Sequence, residues 1–244
     1  MSIDDCSDVS GAGNYLFTQN MTCDITITAN DVNIHGNNCV LNGNIIGDNS
    51  SETENGYNFT LISLIAGNVS SSNNGYVSSD ELNAGSGGNI ILIDSNVLEI
   101  ISNGGHSFQG GGNCGFGGDI TLINSSASSI TSNGGTAQTG SGIGGNGGNI
   151  TLTSSSVSTI YSNGGKGYYE GEGGNGGSIT LNNVSGVTII SANGGDAYGT
   201  GGNGGTVLFN PDICPTSISS ISVLGGEGSS NGSNGTITPS GCGQ

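Results

Sequence analysis

Gly147-Gly148-Asn149-Ile150-Thr151-Leu152-Thr153-Ser154-Ser155-Ser156-Val157-Ser158-Thr159-Ile160-Tyr161-Ser162-Asn163-Gly164-Gly165 is one copy of a unit that recurs on both sides of it. The Gly-Gly that opens the unit begins at Gly87, Gly117, Gly147, Gly176 and Gly204, in steps of 30, 30, 29 and 28 residues. The closing Asn-Gly-Gly begins at Asn103, Asn133, Asn163 and Asn193, in three steps of 30. A period of this length marks stacked supersecondary units. Within the unit, Ile150 and Leu152 alternate with Thr151 and Thr153, the period of a strand buried on one face. The same columns read Ile90/Leu92, Ile120/Leu122, Ile179/Leu181 and Val207/Phe209. A second short strand follows a polar corner, with Val97, Ala127 and Val157 in one column and Ile100, Ile130 and Ile160 in another. Glycine interrupts every run before helical length, and the polar residues are Ser, Thr and Asn, so no helix fits. The chain is therefore all-β, a β-solenoid with coils of about thirty residues. One coil holds too few aliphatic side chains to offset its conformational entropy, so the coils fold only by stacking.

Composition alone points the other way. Fifty glycines, no Trp, 5% aromatic and 8% charged residues would suggest disorder in an unpatterned chain. Here the glycines keep fixed places, and the pattern decides. One Lys against 18 acidic residues gives a formal charge of -17, which excludes nucleic acid and anionic membrane as partners, since both need clustered cations. No run approaches the length of a membrane span. Met1-Ser2-Ile3-Asp4-Asp5 is acidic and leads into no apolar signal region. The expectation is that a leader has been removed, or that the protein reaches its destination by another route, as a virion component would.

The six cysteines make no Cys-x-x-Cys pair and no zinc spacing with a histidine, so disulfides are expected before metal. The expected bridges are Cys6 with Cys23 and Cys214 with Cys242, one at each end of the rod. Cys39 and Cys114 are left as a third bridge, as free thiols or as links between subunits. Disulfides imply an oxidising destination: extracellular, on a cell surface or on a virion.

The run from Cys6 through Tyr15-Leu16-Phe17-Thr18, Cys23-Asp24-Ile25-Thr26-Ile27 and Val32-Asn33-Ile34-His35-Gly36 to Asn42-Gly43 resembles the opening of many right-handed parallel β-helix proteins of the pectin-lyase-like group. The resemblance covers about a fifth of the chain. It implies a right-handed parallel β-helix with a capping strand near Tyr15 to Phe17 and a first coil with strands at Ile25/Ile27, Val32/Ile34 and Val40/Leu41. Residues 1–244 are read as one domain. Within it, 1–47 form the N-terminal cap and first coil, and 48–83 an irregular coil with excursions at Ser70 to Asn74 and Ser78 to Asp80. The regular array occupies 84–209, and 210–244 supply a last coil and C-terminal cap, with the ladder broken at Pro211 and Pro215.

Each coil also carries a glycine-rich loop of about a dozen residues, which either stacks on the loops above and below or stays mobile until a partner pins it. Stacking is favoured, because the glycine spacing repeats from loop to loop. The loops hold Phe108, Phe116, Tyr168, Tyr169, Glu170, Glu172 and Tyr198, candidate contacts for glycans or for a neighbouring subunit. Asn103, Asn133, Asn163 and Asn193 read as an asparagine ladder, each tolerating a left-handed turn and bonding to the next.

The resemblance brings an enzymatic rival, since lyases and hydrolases of polysaccharides share that fold. Such lyases use Arg or Lys as base, often with calcium held by carboxylates. This chain has no Arg, and Lys166 sits in a glycine loop. Hydrolysis needs two carboxyls within reach of one bond. Asp94 and Asp119 fall too far apart along the strands to pair, which leaves Glu170 and Glu172 as the alternative. A structural calcium ion near the acidic N-terminus is the one cofactor left open. Thr121, Thr151 and Thr180 align as in an ice-binding face, but Ile91 and Leu208 interrupt the column. The expectation is a structural or adhesive surface protein, non-enzymatic, that assembles with itself as an oligomer or filament or contacts surface glycans.

Overall fold

The computed structural model describes residues 1–77, 82–108, 112–211, 214–240 and 242. They form a β-solenoid of about 7 turns in which every pairing between strands is parallel. The expected excursion at Ser78 to Asp80 lies outside the described residues, as do Asp212 and Ile213 in the break around Pro211.

Two long sheets run the length of the rod. The first stacks ten strands: Ser2–Ile3, Gly13–Phe17, Val32–His35, Phe59–Ile62, Ile90–Ile93, Ile120–Ile123, Ile150–Thr153, Ser178–Asn182, Thr206–Asn210 and Thr236–Thr238. The second stacks eight: Ile25–Thr26, Ile45–Ile46, Asn68–Ser70, Glu99–Ile101, Ser126–Thr131, Ser156–Tyr161, Ile189–Ser191 and Ser220–Ser222. A short third sheet pairs Tyr76–Val77 with His106–Ser107.

Register follows the repeat. Ile90, Ile120, Ile150, Ile179 and Val207 are consecutive partners in the first sheet, and Ile100, Ile130, Ile160 and Ile190 in the second. All of these are buried, and they meet in one core that runs from Ile3 to Val223. A one-residue slip would turn each column outward, so burial fixes the register.

In five successive coils the corner between the sheets holds a left-handed residue. Ser63, Asp94, Asn124, Ser154 and Asn183 occupy it at φ of 48–51°. Short polar side chains tolerate that conformation best after glycine. The corner is closed by Ser95, Ser125 and Ser155, whose hydroxyls donate to the carbonyls of Ile93, Ile123 and Thr153 at 2.8 Å.

The third side of the core is glycine backbone. Each loop leaves the second sheet along an outward arm, such as 103–105, and comes back along a return arm, such as 114–118. Gly105 N–H donates to Gly85 O of the previous coil's return arm, Gly115 to Gly105, Gly135 to Gly115, Gly145 to Gly135 and Gly165 to Gly145, all at 2.8–3.0 Å. This line continues through Gly174, Gly195, Gly202 and Gly226 to Gly232. Each arm also bonds to its own counterpart one coil on: Gly104 N–H to Asn133 O, and Gly117 N–H to Asn146 O. The loops are stacked, as the spacing suggested. Glycine is required at these places by close approach, since a Cβ on Gly165 would lie 1.7 Å from Gly135 O. Left-handed φ is not the reason: among the described glycines only Gly13, Gly140 and Gly186 adopt it.

Buried serines tie this glycine wall to the core. Ser102, Ser132 and Ser162 are fully buried, and their hydroxyls donate to the carbonyls of Gly88, Gly118 and Gly148. Ser71 continues the column into the preceding coil, with its hydroxyl bonded to Tyr57 O. The expectation of an excursion at Ser70 to Asn74 is therefore corrected. Ser71, Ser72 and Asn73 are buried, because hydroxyl and amide groups satisfy the carbonyls that face inward there.

Cys6–Cys23 and Cys214–Cys242 are disulfides. Cys39 and Cys114 are free thiols, Cys114 buried with its pKa pushed up to about 11 by desolvation. A buried thiol of that kind is an inert packing residue. A substitution inside the glycine wall tests the packing directly: Gly165→Ala is expected to lower stability by about 3 kcal/mol or more, measured by denaturant unfolding.

Candidate functional site

The loops of the third and fourth regular copies place Tyr168 and Tyr198 side by side. Their rings meet edge to face, with centroids 5.5 Å apart and planes at 85°. Tyr169 tilts against Tyr168 at 5.7 Å and 58°. Tyr168 is half-buried, whereas Tyr169 and Tyr198 are 67% and 70% exposed. Together with Glu170, Gly199 and Ser229 the three rings line a cleft of about 540 Å³.

A second depression of about 520 Å³ shares Tyr168 and Tyr198 with the first. Lys166, Asp196 and Glu227 are among its lining residues. They belong to a column that runs along the loops at nearly the coil interval: Tyr76, His106, Thr136, Lys166, Asp196 and Glu227. Its members are linked. Tyr76 stacks on His106 at 5.4 Å, Thr136 N–H donates to His106 Nδ1 at 2.9 Å, and Glu227 N–H donates to Asp196 Oδ1 at 3.0 Å. Lys166 Nζ lies 3.1 Å from Asp196 Oδ2, with both side chains at least half exposed.

Asp196 is held below the ordinary carboxylate pKa of 3.8, first by the Glu227 N–H and, against an opposing desolvation, also by Lys166. His106 Nδ1 is an acceptor here, so the proton of the neutral ring sits on Nε2.

The structure gathers some of the loop candidates and separates the others. Tyr168, Tyr169, Glu170 and Tyr198 share the cleft, while Glu172 is exposed without lining it. Phe108 and Phe116 are exposed on the loop of the first regular copy; Phe116 lines a shallow groove of about 630 Å³ with Asp119, Asn149 and Thr206. Ser229 was not singled out by its residue type. The signal that could have found it is the period, since it lies 31 residues after Tyr198.

The asparagines form a ladder, with one correction. Asn133, Asn163 and Asn193 N–H donate to Asn103, Asn133 and Asn163 Oδ1 at 2.8–2.9 Å, and Leu224 N–H to Asn193 Oδ1 at 2.8 Å. None of the four has a positive φ. Asparagine is used here for the reach of its amide oxygen to the next coil, and the left-handed turns fall at the other corner. A parallel ladder of the same kind runs from Asn30 through Asn58, Asn89 and Asp119 to Asn149.

Among the described residues, no three His, Cys, Asp or Glu side chains gather to hold a metal ion, and no helix is long and apolar enough to cross a membrane. On the outer face of the first sheet the column reads Thr60, Ile91, Thr121, Thr151, Thr180, Leu208 and Thr238, with Ile91 and Leu208 exposed. No family model, curated protein or solved structure matches the chain.

The Asp196 cluster gives a pH-dependent expectation. A carboxyl with a depressed folded pKa adds stability above its unfolded pKa and loses it as the pH falls through the folded value. Wild type should exceed Asp196→Asn by under about 1 kcal/mol near neutral pH, because the pair is exposed. That margin should vanish as thermal unfolding is followed down through and below pH 3.8.

Proposed function

We propose that this chain is a structural or adhesive surface protein, a fibre, sheath or spike subunit of a cell or virus exterior, which contacts glycans through its loop tips and associates with copies of itself. The observation that carries the reading is the exposed pair Tyr169 and Tyr198, held on loops whose arms are hydrogen-bonded from coil to coil. Exposed aromatics on a rigid bed are suited to stacking on the apolar faces of sugar rings. Mobile loops would lose more entropy on binding; these are already ordered.

Other features agree. The two disulfides are compatible with an extracellular protein. A charge of -17 keeps the rod soluble and turns it away from anionic surfaces. A glycoside hydrolase would need two carboxyls across one bond. Glu170 lines the tyrosine cleft and Glu172 does not, which favours binding over turnover.

Electron microscopy of the purified protein, combined with pull-down on insoluble polysaccharides, tests this reading. Rods that associate end to end, or are retained on a glycan in a manner weakened by Tyr198→Ala, are expected. Strictly monomeric particles that bind no glycan or surface would contradict it.

A further inference from the structure

The turn that carries Tyr169 is built against its own residue type. Gly171 N–H donates to Tyr168 O at 2.9 Å, so Tyr169 and Glu170 are its two central residues. Tyr169 has φ of 51°, while Glu170 is not in the left-handed region. A turn with positive φ at its first central position is a glycine turn. A bulky aromatic residue there is strained. The preceding coil shows what the fold asks for: its turn lies at Gly140 and Ser141, 29 residues earlier, and Gly140 sits at φ of 70°. In a chain with 50 glycines, this turn holds a tyrosine instead. The ring gains little from its own fold, since Tyr169 is 67% exposed. Strain kept at an exposed side chain marks a site of use.

The surrounding groups define the ligand. Tyr168, Tyr169 and Tyr198 present ring faces and edges to one cleft, Glu170 adds a carboxylate and Ser229 a hydroxyl. In the second depression, which shares Tyr168 and Tyr198, Glu227 adds a second acid, while Asp196 is engaged by Lys166. Aromatic faces take the apolar side of a pyranose ring and also attract an ammonium group. The carboxylate at the rim completes a pair with that ammonium, and the overall charge of -17 repels uronates and sulfated sugars.

Building on the glycan-contact reading, we propose that this cleft binds an amine-bearing hexosamine oligosaccharide, with Tyr169 and Tyr198 stacking on its rings and Glu170 pairing with its amine. Titration calorimetry with a glucosamine tetrasaccharide and with its fully N-acetylated counterpart tests this. The free-amine sugar is expected to bind about threefold more tightly, the worth of one exposed ion pair. Glu170→Gln should erase that preference while leaving the acetylated sugar bound within about twofold of wild type. Tyr169→Gly, which restores the residue of the neighbouring coil, should leave the melting temperature unchanged or raised and yet lose the sugar.

Equal binding of both sugars, unaffected by Glu170→Gln, would overturn the amine assignment and leave glycan contact standing. Retention on surfaces or filaments with no binding of either tetrasaccharide would overturn the site and leave the surface reading standing. A Tyr169→Gly variant that melts lower and still binds would show the ring to be structural and overturn the proposal.

Discussion

The backbone-to-backbone contact between glycine arms is the constraint on which the rest of this rod depends. A parallel coil must close on itself, and the glycine arms of the regular coils, such as 103–105 and 114–118, have no aliphatic side chain with which to do so. Its place in the wall is taken by arms so close that Gly135, Gly145 and Gly165 have no room for a Cβ. Hydrogen bonds run along the rod from arm to arm and across it from coil to coil, so nearly every polar group of the arms finds a partner. Glycine loses more freedom on ordering than any other residue. Such segments order only when hydrogen bonding and contact are both saturated, which is what repetition at a fixed interval supplies.

The wall and the core support each other. Aliphatic columns set the register of the two sheets, and the register sets the height at which each arm meets its neighbours. Buried serine hydroxyls join the systems by capping glycine carbonyls from inside, a use of polar groups that costs nothing in unsatisfied donors. Function follows from the same economy. The arms are hydrogen-bonded from coil to coil, and Tyr168 and Tyr198 meet because their coils are adjacent rungs.

The strands were legible in the sequence because two periods reinforce one another: alternate residues point inward, and the pattern returns every thirty. The terminal disulfides were also legible, from the position of the cysteines relative to the repeat. Polar residues were harder. Ser71 and Asn73 look like loop residues in the sequence, yet they are buried because glycine carbonyls face them. The asparagine column showed its periodicity without its geometry: the same residue type suits a left-handed corner and a side-chain rung, and only backbone φ distinguishes Asn124 from Asn133. The tyrosine cleft was half visible. Residue type marked Tyr168, Tyr169 and Tyr198, and the 29-residue step from Gly147 to Gly176 could be counted, but that this step sets Tyr169 on the turn position of Gly140 emerges only with the fold.

Amide hydrogen exchange of the native protein, resolved by residue, tests the central claim most directly. The N–H groups of Gly115, Gly135, Gly145 and Gly165 should be protected to the same degree as those of Ile120 and Ile150 in the first sheet, opening only with the rod itself. Exchange of those glycines at the rate of open loops, with the strands still protected, would contradict the account.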